Sequence, residues 1–256
     1  MAKKIHVLNI AGVGIIYRAS NPRELFIEVK DDGHPIKLVR RQLCFIGGNW
    51  IGETAKGDRK PLDTFRRELG EELSFDRPIR NSVELALLGL ANIKEFAPTP
   101  NPSAEATEQD IADLNDLKRV MTNSAIPFGD FLNTIPKAAL DSADSENKRD
   151  GFTTLASYWE IPLGESDWAK LTSLQRVFNN LSNESITVVT SLEEIIRTGT
   201  KTAFGHDRVL QRFFLSRGFR DAEFLPLVPD LESVEAGMPL PTYQDYLERY
   251  DVARHP

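Results

Sequence analysis

The sequence predicts an α/β protein in which strands alternate with amphipathic helices. Strand-like apolar runs cover residues 5–17 and 25–29, and apolar residues at helical spacing follow over residues 62–73. Apolar residues make up 41% of the 256 residues, which is ordinary for a globular protein and enough to bury a core. At this length the chain forms either one large domain or two small ones.

Charge and cysteine usage exclude several functional classes. The formal net charge of −7 argues against a general nucleic-acid binder and against binding to an anionic membrane surface. No stretch reaches the roughly 20 apolar residues of a membrane span. Cys44 is the only cysteine, which excludes an intramolecular disulfide and a cysteine-based zinc cluster. We therefore expect a cytoplasmic protein.

Three strands are expected before the first helix. Residues 5–17 and Leu25 to Val29 are the first two, and the second ends at the turn signal Asp31-Asp32-Gly33. The third is expected from Ile36 to Ile46, and it contains Arg40 and Arg41. Two arginines beside a glycine loop suit bidentate phosphate binding, but charged residues also guard exposed strand edges. Both interpretations of the arginine pair stay open.

The most informative stretch, Gly47 to Phe75, predicts a glycine loop followed by a short helix. Glu68, Glu71 and Glu72 are spaced i, i+3 and i+4, which places their carboxylates on one helix face. Four apolar residues lie on the opposite face: Leu62, Phe65, Leu69 and Leu73. Pro61 suits the first helical position, and Asp58 is near enough to act at the N-terminal cap.

Three adjacent carboxylates repel one another and call for a compensating cation. A hard divalent ion such as Mg²⁺ takes oxygen ligands and commonly also binds substrate phosphate. The alternative is a solvated acidic face that Arg66 and Arg67 neutralise. The triad by itself leaves both interpretations open.

The sequence around the triad resembles the Nudix hydrolase family. The segment Arg67-Glu68-Leu69-Gly70-Glu71-Glu72 matches the second half of that family's box without a gap, and Phe75 lies at its closing apolar position. The resemblance implies an α/β/α sandwich with a mixed β-sheet over residues 1–224, with a helical insertion at about 98–151. Residues 225–256 would be a C-terminal tail packed on the domain or on a second subunit, for example in a homodimer.

The first half of the box departs from the family pattern. Between Gly48 and Arg67 there are 18 residues, five more than the pattern has, so the loop carries an insertion. Glu53 and Asp58 are both imperfect candidates for the early Glu of the box. Ser74 replaces the last Gly, at a cost of about 1–2 kcal/mol if a left-handed conformation is kept there.

The family resemblance implies roles for individual residues. Glu68, Glu71 and Glu72 would hold Mg²⁺ or Mn²⁺, with a backbone carbonyl from Gly47 or Gly48. Arg67 would orient a neighbouring carboxylate, and one carboxylate, Glu71 or Glu72, would act as general base. The substrate would be a nucleoside diphosphate linked to another group.

Residues outside the box are weaker candidates for the site. Glu95, Glu105 and Glu108 are alternatives for the base, although each is more often a plain surface residue. Trp50 would stack on a substrate ring or, equally, cover the inserted loop.

The rest of the chain continues the α/β pattern. A strand is expected from Val83 to Glu95, and an amphipathic helix containing Leu114 and Leu117 falls inside the insertion. Later elements are a strand at Phe152 to Ile161, a helix at 168–181, a strand at Ile186 to Thr190 ending at the capping residue Ser191, a helix at His206 to Arg217, and an amphipathic segment at Tyr243 to Tyr250.

Two further functional hypotheses compete with hydrolysis. A Nudix-like binding or regulatory module that has lost catalysis would explain the displaced early Glu and Ser74. A scaffold protein would use the tail and the insertion to bind partners.

Overall fold

The structure, a computed structural model, describes residues 3–52, 57–75, 105–147, 149–178, 180–182 and 185–253. Glu53, Glu95 and the strand expected at 83–95 lie outside these ranges. Within them, the strands are β1 (Ile5–Val7), β2 (Asn9–Arg18), β3 (Asn21–Val29), β4 (Leu43–Cys44), β5 (Ile46–Asn49), β6 (Ile126–Ile135), β7 (Phe152–Leu163), β8 (Ile186–Ser191), β9 (Glu232–Gly237) and β10 (Tyr250–Val252). The helices are α1 (Pro61–Glu72), α2 (Glu108–Asn123), α3 (Lys137–Ala143), α4 (Glu165–Phe178), α5 (Leu192–Thr198), α6 (His206–Leu215) and α7 (Tyr243–Arg249).

Eight of the strands form one mixed sheet, which confirms the predicted α/β class. β2 and β7 pair in parallel over Asn9–Arg18, and the other pairings within this sheet are antiparallel. Helices cover both faces of the sheet, so the chain is an α/β/α sandwich. Helices α1, α2 and α4 pack on one face, and α5 and α6 pack on the other. No helix of the described residues is long and apolar enough to cross a membrane.

Two of the predicted strands differ from the structure. Residues 5–17 divide into β1 and β2, because β1 pairs with β10 at the C-terminus and not with the main sheet. The strand expected from Ile36 to Ile46 is a 3₁₀ turn over Lys37–Val39 followed by β4 and β5. Arg41 has a φ of 60°, which a strand cannot accommodate, and its N–H donates to the carbonyl of Lys30.

The region expected to be an insertion supplies a strand of the main sheet. β6 pairs with β7 on one side and with β9 on the other. The polar residues Asp130 and Asn133 make β6 difficult to recognise as a strand in the sequence. In the structure, both side chains are buried and hydrogen-bonded.

The C-terminal segment packs on the domain. β9 extends the main sheet, and β10 pairs with β1. Tyr243, Tyr246 and Tyr250 lie in one apolar cluster with Trp50 and residues near the N-terminus. The C-terminal segment thus adds one strand to the main sheet and one strand to the two-stranded sheet.

Glycines allow α1 to lie unusually close to the sheet. Gly12 and Gly14 lie on the face of β2 that α1 covers. A Cβ at Gly12 would stand 2.1 Å from the carbonyl oxygen of Pro61, and one at Gly14 would stand 2.3 Å from the ring of Phe65. Real Cβ atoms do not approach other atoms this closely, so any side chain at these positions would push the helix away.

We therefore expect Gly12→Ala to lower the free energy of unfolding by about 2–3 kcal/mol or more. Gly70→Ala is the matched control, because a Cβ at this position of α1 meets nothing within 4 Å. This substitution should stabilise the protein by up to about 1 kcal/mol through helix propensity. Urea unfolding measures both, and equal effects would contradict the close approach.

Asp130 links β6 to β7 and to α7. Its carboxylate accepts hydrogen bonds from the Ser157 hydroxyl at 2.6 Å and from the Tyr246 hydroxyl at 2.9 Å. Burial disfavours the charged carboxylate and raises the pKa of Asp130 to about 6, although both hydrogen bonds act in the opposite direction.

This raised pKa predicts a pH dependence of stability. Between about pH 4 and pH 6 the folded state binds a proton that the unfolded chain releases, so the free energy of unfolding falls as the pH rises. The full change is about 3 kcal/mol. Asp130→Asn should flatten the stability profile over this range, whereas the exposed control Asp230→Asn should keep it. Chemical unfolding at a series of pH values measures both profiles. If the free energy of unfolding of Asp130→Asn falls with pH as steeply as that of the unmodified protein, Asp130 is not the group responsible.

Candidate active site

The three predicted carboxylates lie on the last two turns of α1 in three different environments. Glu71 is exposed, Glu68 is half-buried, and Glu72 is buried with 2% of its surface exposed. The helix begins with Pro61 at its first turn, as predicted. It ends at Leu73 in an extended conformation, and the N–H of Ser74 donates to Leu181. Ser74 is therefore not left-handed, and the strain expected from replacing Gly is absent.

Two glycines of β5, Gly47 and Gly48, lie directly beneath Glu68. A Cβ on Gly48 would stand 2.3 Å from Oε1 of Glu68, so a side chain there would force the carboxylate to move. Gly47 has a φ of +147°, and a Cβ there would stand 2.3 Å from the carbonyl oxygen of Gly12. The structure thus brings both glycines against the predicted helix, but they lie on strand β5 and not in the predicted loop, because they pair with Gly12 and Val13 of β2.

Arg67 connects strand β5, helix α1 and an upstream carboxylate. One of its terminal nitrogens, Nη1, lies 2.8 Å from Oε1 of Glu68 and donates to Glu71 at 2.9 Å. Its Nη2 donates to the backbone carbonyl of Asn49 at 3.1 Å, and its Nε donates to Asp58 at 3.0 Å. Burial opposes the charged guanidinium, but the hydrogen bond to Asp58 and the neighbouring carboxylates outweigh it and raise the pKa of Arg67.

Asp58 supports Arg67 and does not cap the helix backbone. The N-cap residue of α1 is Lys60, which has no capping side-chain hydrogen bond. Asp58 is buried, and its Oδ2 accepts hydrogen bonds from Thr64 Oγ1 at 2.9 Å and from Arg67. Of the two candidates for the early Glu of the box, Asp58 thus has a role in orienting Arg67.

Sequence reasoning missed a buried ion cluster next to Glu72. Glu28 lies on the side of β3 that faces α1, and Lys30 follows the last residue of that strand. The ammonium of Lys30 is 3.1 Å from Oε2 of Glu28 and 4.0 Å from Oε1 of Glu72. Burial disfavours this ammonium, but Glu28, Cys44 and Glu72 together outweigh burial and raise the pKa of Lys30. A glutamate inside the apolar run 25–29 was the signal that could have revealed the cluster.

Cys44 and His206 are also buried in the protein interior, and neither side chain is reactive there. Burial raises the pKa of the Cys44 thiol to about 12, so the thiol is not a nucleophile at neutral pH. Burial lowers the pKa of His206 to about 3, and its neutral ring accepts a hydrogen bond from the N–H of Phe45 at 3.2 Å.

The candidate substrate-binding side chains have partners within the protein. The guanidinium of Arg41 forms two hydrogen bonds of 2.8 Å with Asp32, and Arg40 donates to the carbonyl of His34 at 2.6 Å. Trp50 is 8% exposed, and its ring stacks on Tyr243 with centroids 4.1 Å apart. All three side chains thus have partners in the protein, but Arg40 and Arg41 lie between the 3₁₀ turn and β4 and not on the strand edge of the alternative interpretation.

The alternative bases lie at the start of α2, and the described cavity is separate from this cluster. Glu105 precedes α2, and Glu108 is in the first turn of that helix. A cavity of about 650 Å³ lies between α4 and β8, and Arg18, Glu165 and Trp168 are among its lining residues. No residue of α1 lines it, so the cavity is not the carboxylate site.

The carboxylates of the triad and the nearby backbone carbonyls suit a hard divalent ion, but in this structure the carboxylates lie beside the side-chain cations of Arg67 and Lys30. Carboxylate oxygens and backbone carbonyls are the ligands that Mg²⁺ and Mn²⁺ prefer. Within the described ranges, no group of three or more His, Cys, Asp or Glu side chains stands ready to hold a metal. Arg67 contacts Glu68 and Glu71 instead, and Lys30 lies beside Glu72. A divalent ion would have to compete with these contacts.

Comparisons of the chain with protein-family models, with curated proteins and with solved structures gave no match.

We expect Lys30→Met to lower the free energy of unfolding by about 3 kcal/mol, because it leaves the buried carboxylates of Glu28 and Glu72 without their ammonium. Adding Glu28→Gln to this variant should recover part of the loss. Lys37→Met is the control, since Lys37 pairs with Asp144 at the surface and should change stability little. Urea unfolding of the unmodified protein and the three variants measures these differences. If Lys30→Met does not change the free energy of unfolding, the ammonium does not stabilise the buried carboxylates.

Proposed function

We propose that this protein is a metal-dependent hydrolase that cleaves the pyrophosphate bond of a nucleoside diphosphate linked to another group. One observation carries the proposal: the carboxylate of Glu68 lies on the Gly48 backbone, and Arg67 holds it beside Glu71. This arrangement fits the Nudix-like strand, loop and helix that the sequence indicates. The proposed compartment is the cytoplasm.

Glu68, Glu71 and Glu72 would hold Mg²⁺ or Mn²⁺, with the Gly47 or Gly48 carbonyl nearby. The bound ion would neutralise the pyrophosphate and acidify a water molecule. Arg67 orients Glu68 and Glu71, and its contact with the Asn49 carbonyl keeps the end of β5 next to the helix. Glu71 is the exposed member of the triad, so its carboxylate is the one best placed to take a proton from water.

A second candidate is a module that binds such a metabolite without cleaving it. It is favoured by the contacts that occupy the triad, because Arg67 and Lys30 already balance part of its charge without a metal. The two candidates differ in turnover, since both predict that a nucleoside diphosphate derivative binds.

Glu71→Gln and Glu72→Gln should each abolish metal-dependent hydrolysis while the protein remains folded. Each substitution removes a negative charge from the triad and keeps the side-chain shape. Glu248→Gln on α7 is the control, because this exposed residue lies outside the candidate site and should keep full turnover. Phosphorus NMR on a panel of nucleotide sugars and dinucleotides identifies the bond that breaks.

Wild-type turnover in both triad variants would show that the chemistry occurs elsewhere. Binding without product formation by the unmodified protein across the panel would favour the second candidate.

A further inference from the structure

The C-terminal helix α7 contacts the first turns of α1. Tyr243, the first residue of α7, is 3% exposed. Its ring stacks on Trp50 at an interplanar angle of 14°, and its backbone N–H donates to the carbonyl of Arg59 at 2.9 Å. These contacts hold the phenol group in one place, next to the side chain of Thr64.

Two hydrogen bonds connect the Tyr243 phenol to Asp58, and in each of them the hydroxyl donates toward the Asp58 carboxylate. The Tyr243 hydroxyl is 2.6 Å from Oγ1 of Thr64, and that Oγ1 is 2.9 Å from Oδ2 of Asp58. An ionised carboxylate only accepts, and a hydroxyl has one proton to give. Thr64 therefore donates to Asp58, and Tyr243 donates to Thr64. Burial raises the pKa of Tyr243, so the phenol keeps its proton at neutral pH.

The same carboxylate oxygen continues the chain to the candidate site. Oδ2 of Asp58 accepts from Nε of Arg67 at 3.0 Å, and Arg67 reaches Glu68 and Glu71. Thr64 is fully buried and Asp58 is 3% exposed. Water therefore does not compete for these hydrogen bonds, and buried hydrogen bonds in series strengthen one another.

We propose that Tyr243 is a positioning residue of the carboxylate site. Through Thr64 and Asp58 it fixes the orientation of the Arg67 side chain, which in turn orients the carboxylates. Tyr243 is then a part of the site, although it lies 171 or more residues from the triad in sequence. The catalytic consequence rests on the proposed function, whereas the relay to Arg67 does not.

Tyr243→Phe tests the relay, because it removes only the hydroxyl and keeps a ring to stack on Trp50. Tyr17→Phe is the matched control, since it removes a phenol that donates to Glu160 at 3.3 Å and belongs to the cluster on the other face of the sheet. The first readout is the Nε–Hε resonance of Arg67 in proton–nitrogen NMR spectra. The second is Mn²⁺ affinity, measured by electron paramagnetic resonance.

Tyr243→Phe should shift the Arg67 resonance and weaken Mn²⁺ binding about threefold to tenfold. This is less than the roughly 10–100-fold loss typical of removing a direct partner of a metal ligand. Tyr17→Phe should leave both readouts unchanged. An unchanged Arg67 resonance in Tyr243→Phe would overturn the proposal.

A second variant separates positioning from general destabilisation. Thr64→Val breaks the relay at its middle, so adding Tyr243→Phe to it should produce little further change in the Arg67 resonance. Fully additive shifts would overturn the relay. If the unmodified protein binds no Mn²⁺, the proposed function fails, while the resonance of Arg67 still reports whether Tyr243 positions that side chain.

Discussion

The ion pairs of Arg67 are the interaction on which the candidate site depends. Like charges at i, i+4 on an exposed helix cost only about 0.2–0.5 kcal/mol per pair. Asp58 is buried and Glu68 is half-buried, and an uncompensated charge removed from water costs several kcal/mol. Compensation therefore decides whether this helix can keep its carboxylates together. Arginine suits the position because its planar group can bind several acceptors at fixed angles, and here it contacts three carboxylates and one carbonyl.

The second requirement is a close contact between α1 and the sheet. Gly12 and Gly14 bring the helix down onto β2, and Gly48 leaves space for the carboxylate of Glu68. The fold and the site thus both depend on glycines at the contact between α1 and the sheet, but on different ones. Any side chain at Gly12 would move the helix, and a methyl group at Gly48 would displace the carboxylate itself.

Local features of the chain were predictable from its sequence. Pro61, the apolar face of α1 and the Ser191 cap follow from short-range rules, and the Ser191 side chain does accept from the N–H of Glu194. The strands at 25–29 and 152–161 and the helices near 168–181 and 206–217 were also placed correctly. Each of these signals is complete within a few residues.

Features that depend on distant partners were not predictable. β6 carries Asp130 and Asn133, which are typical of a loop until Ser157 and Tyr158 on β7 supply their hydrogen bonds. The Lys30 cluster requires β3 and α1 to meet, and the role of Tyr243 requires the C-terminus to fold back onto α1. Sequence spacing contains no information on these contacts, because they form only when the sheet has assembled.

The most direct test of the account is anomalous X-ray scattering from a crystal soaked in Mn²⁺. We predict a single peak among the carboxylates of Glu68, Glu71 and Glu72, with Arg67 displaced from at least one of them. A map without a peak there, in which Arg67 still pairs with Glu68 and Glu71, would contradict the account.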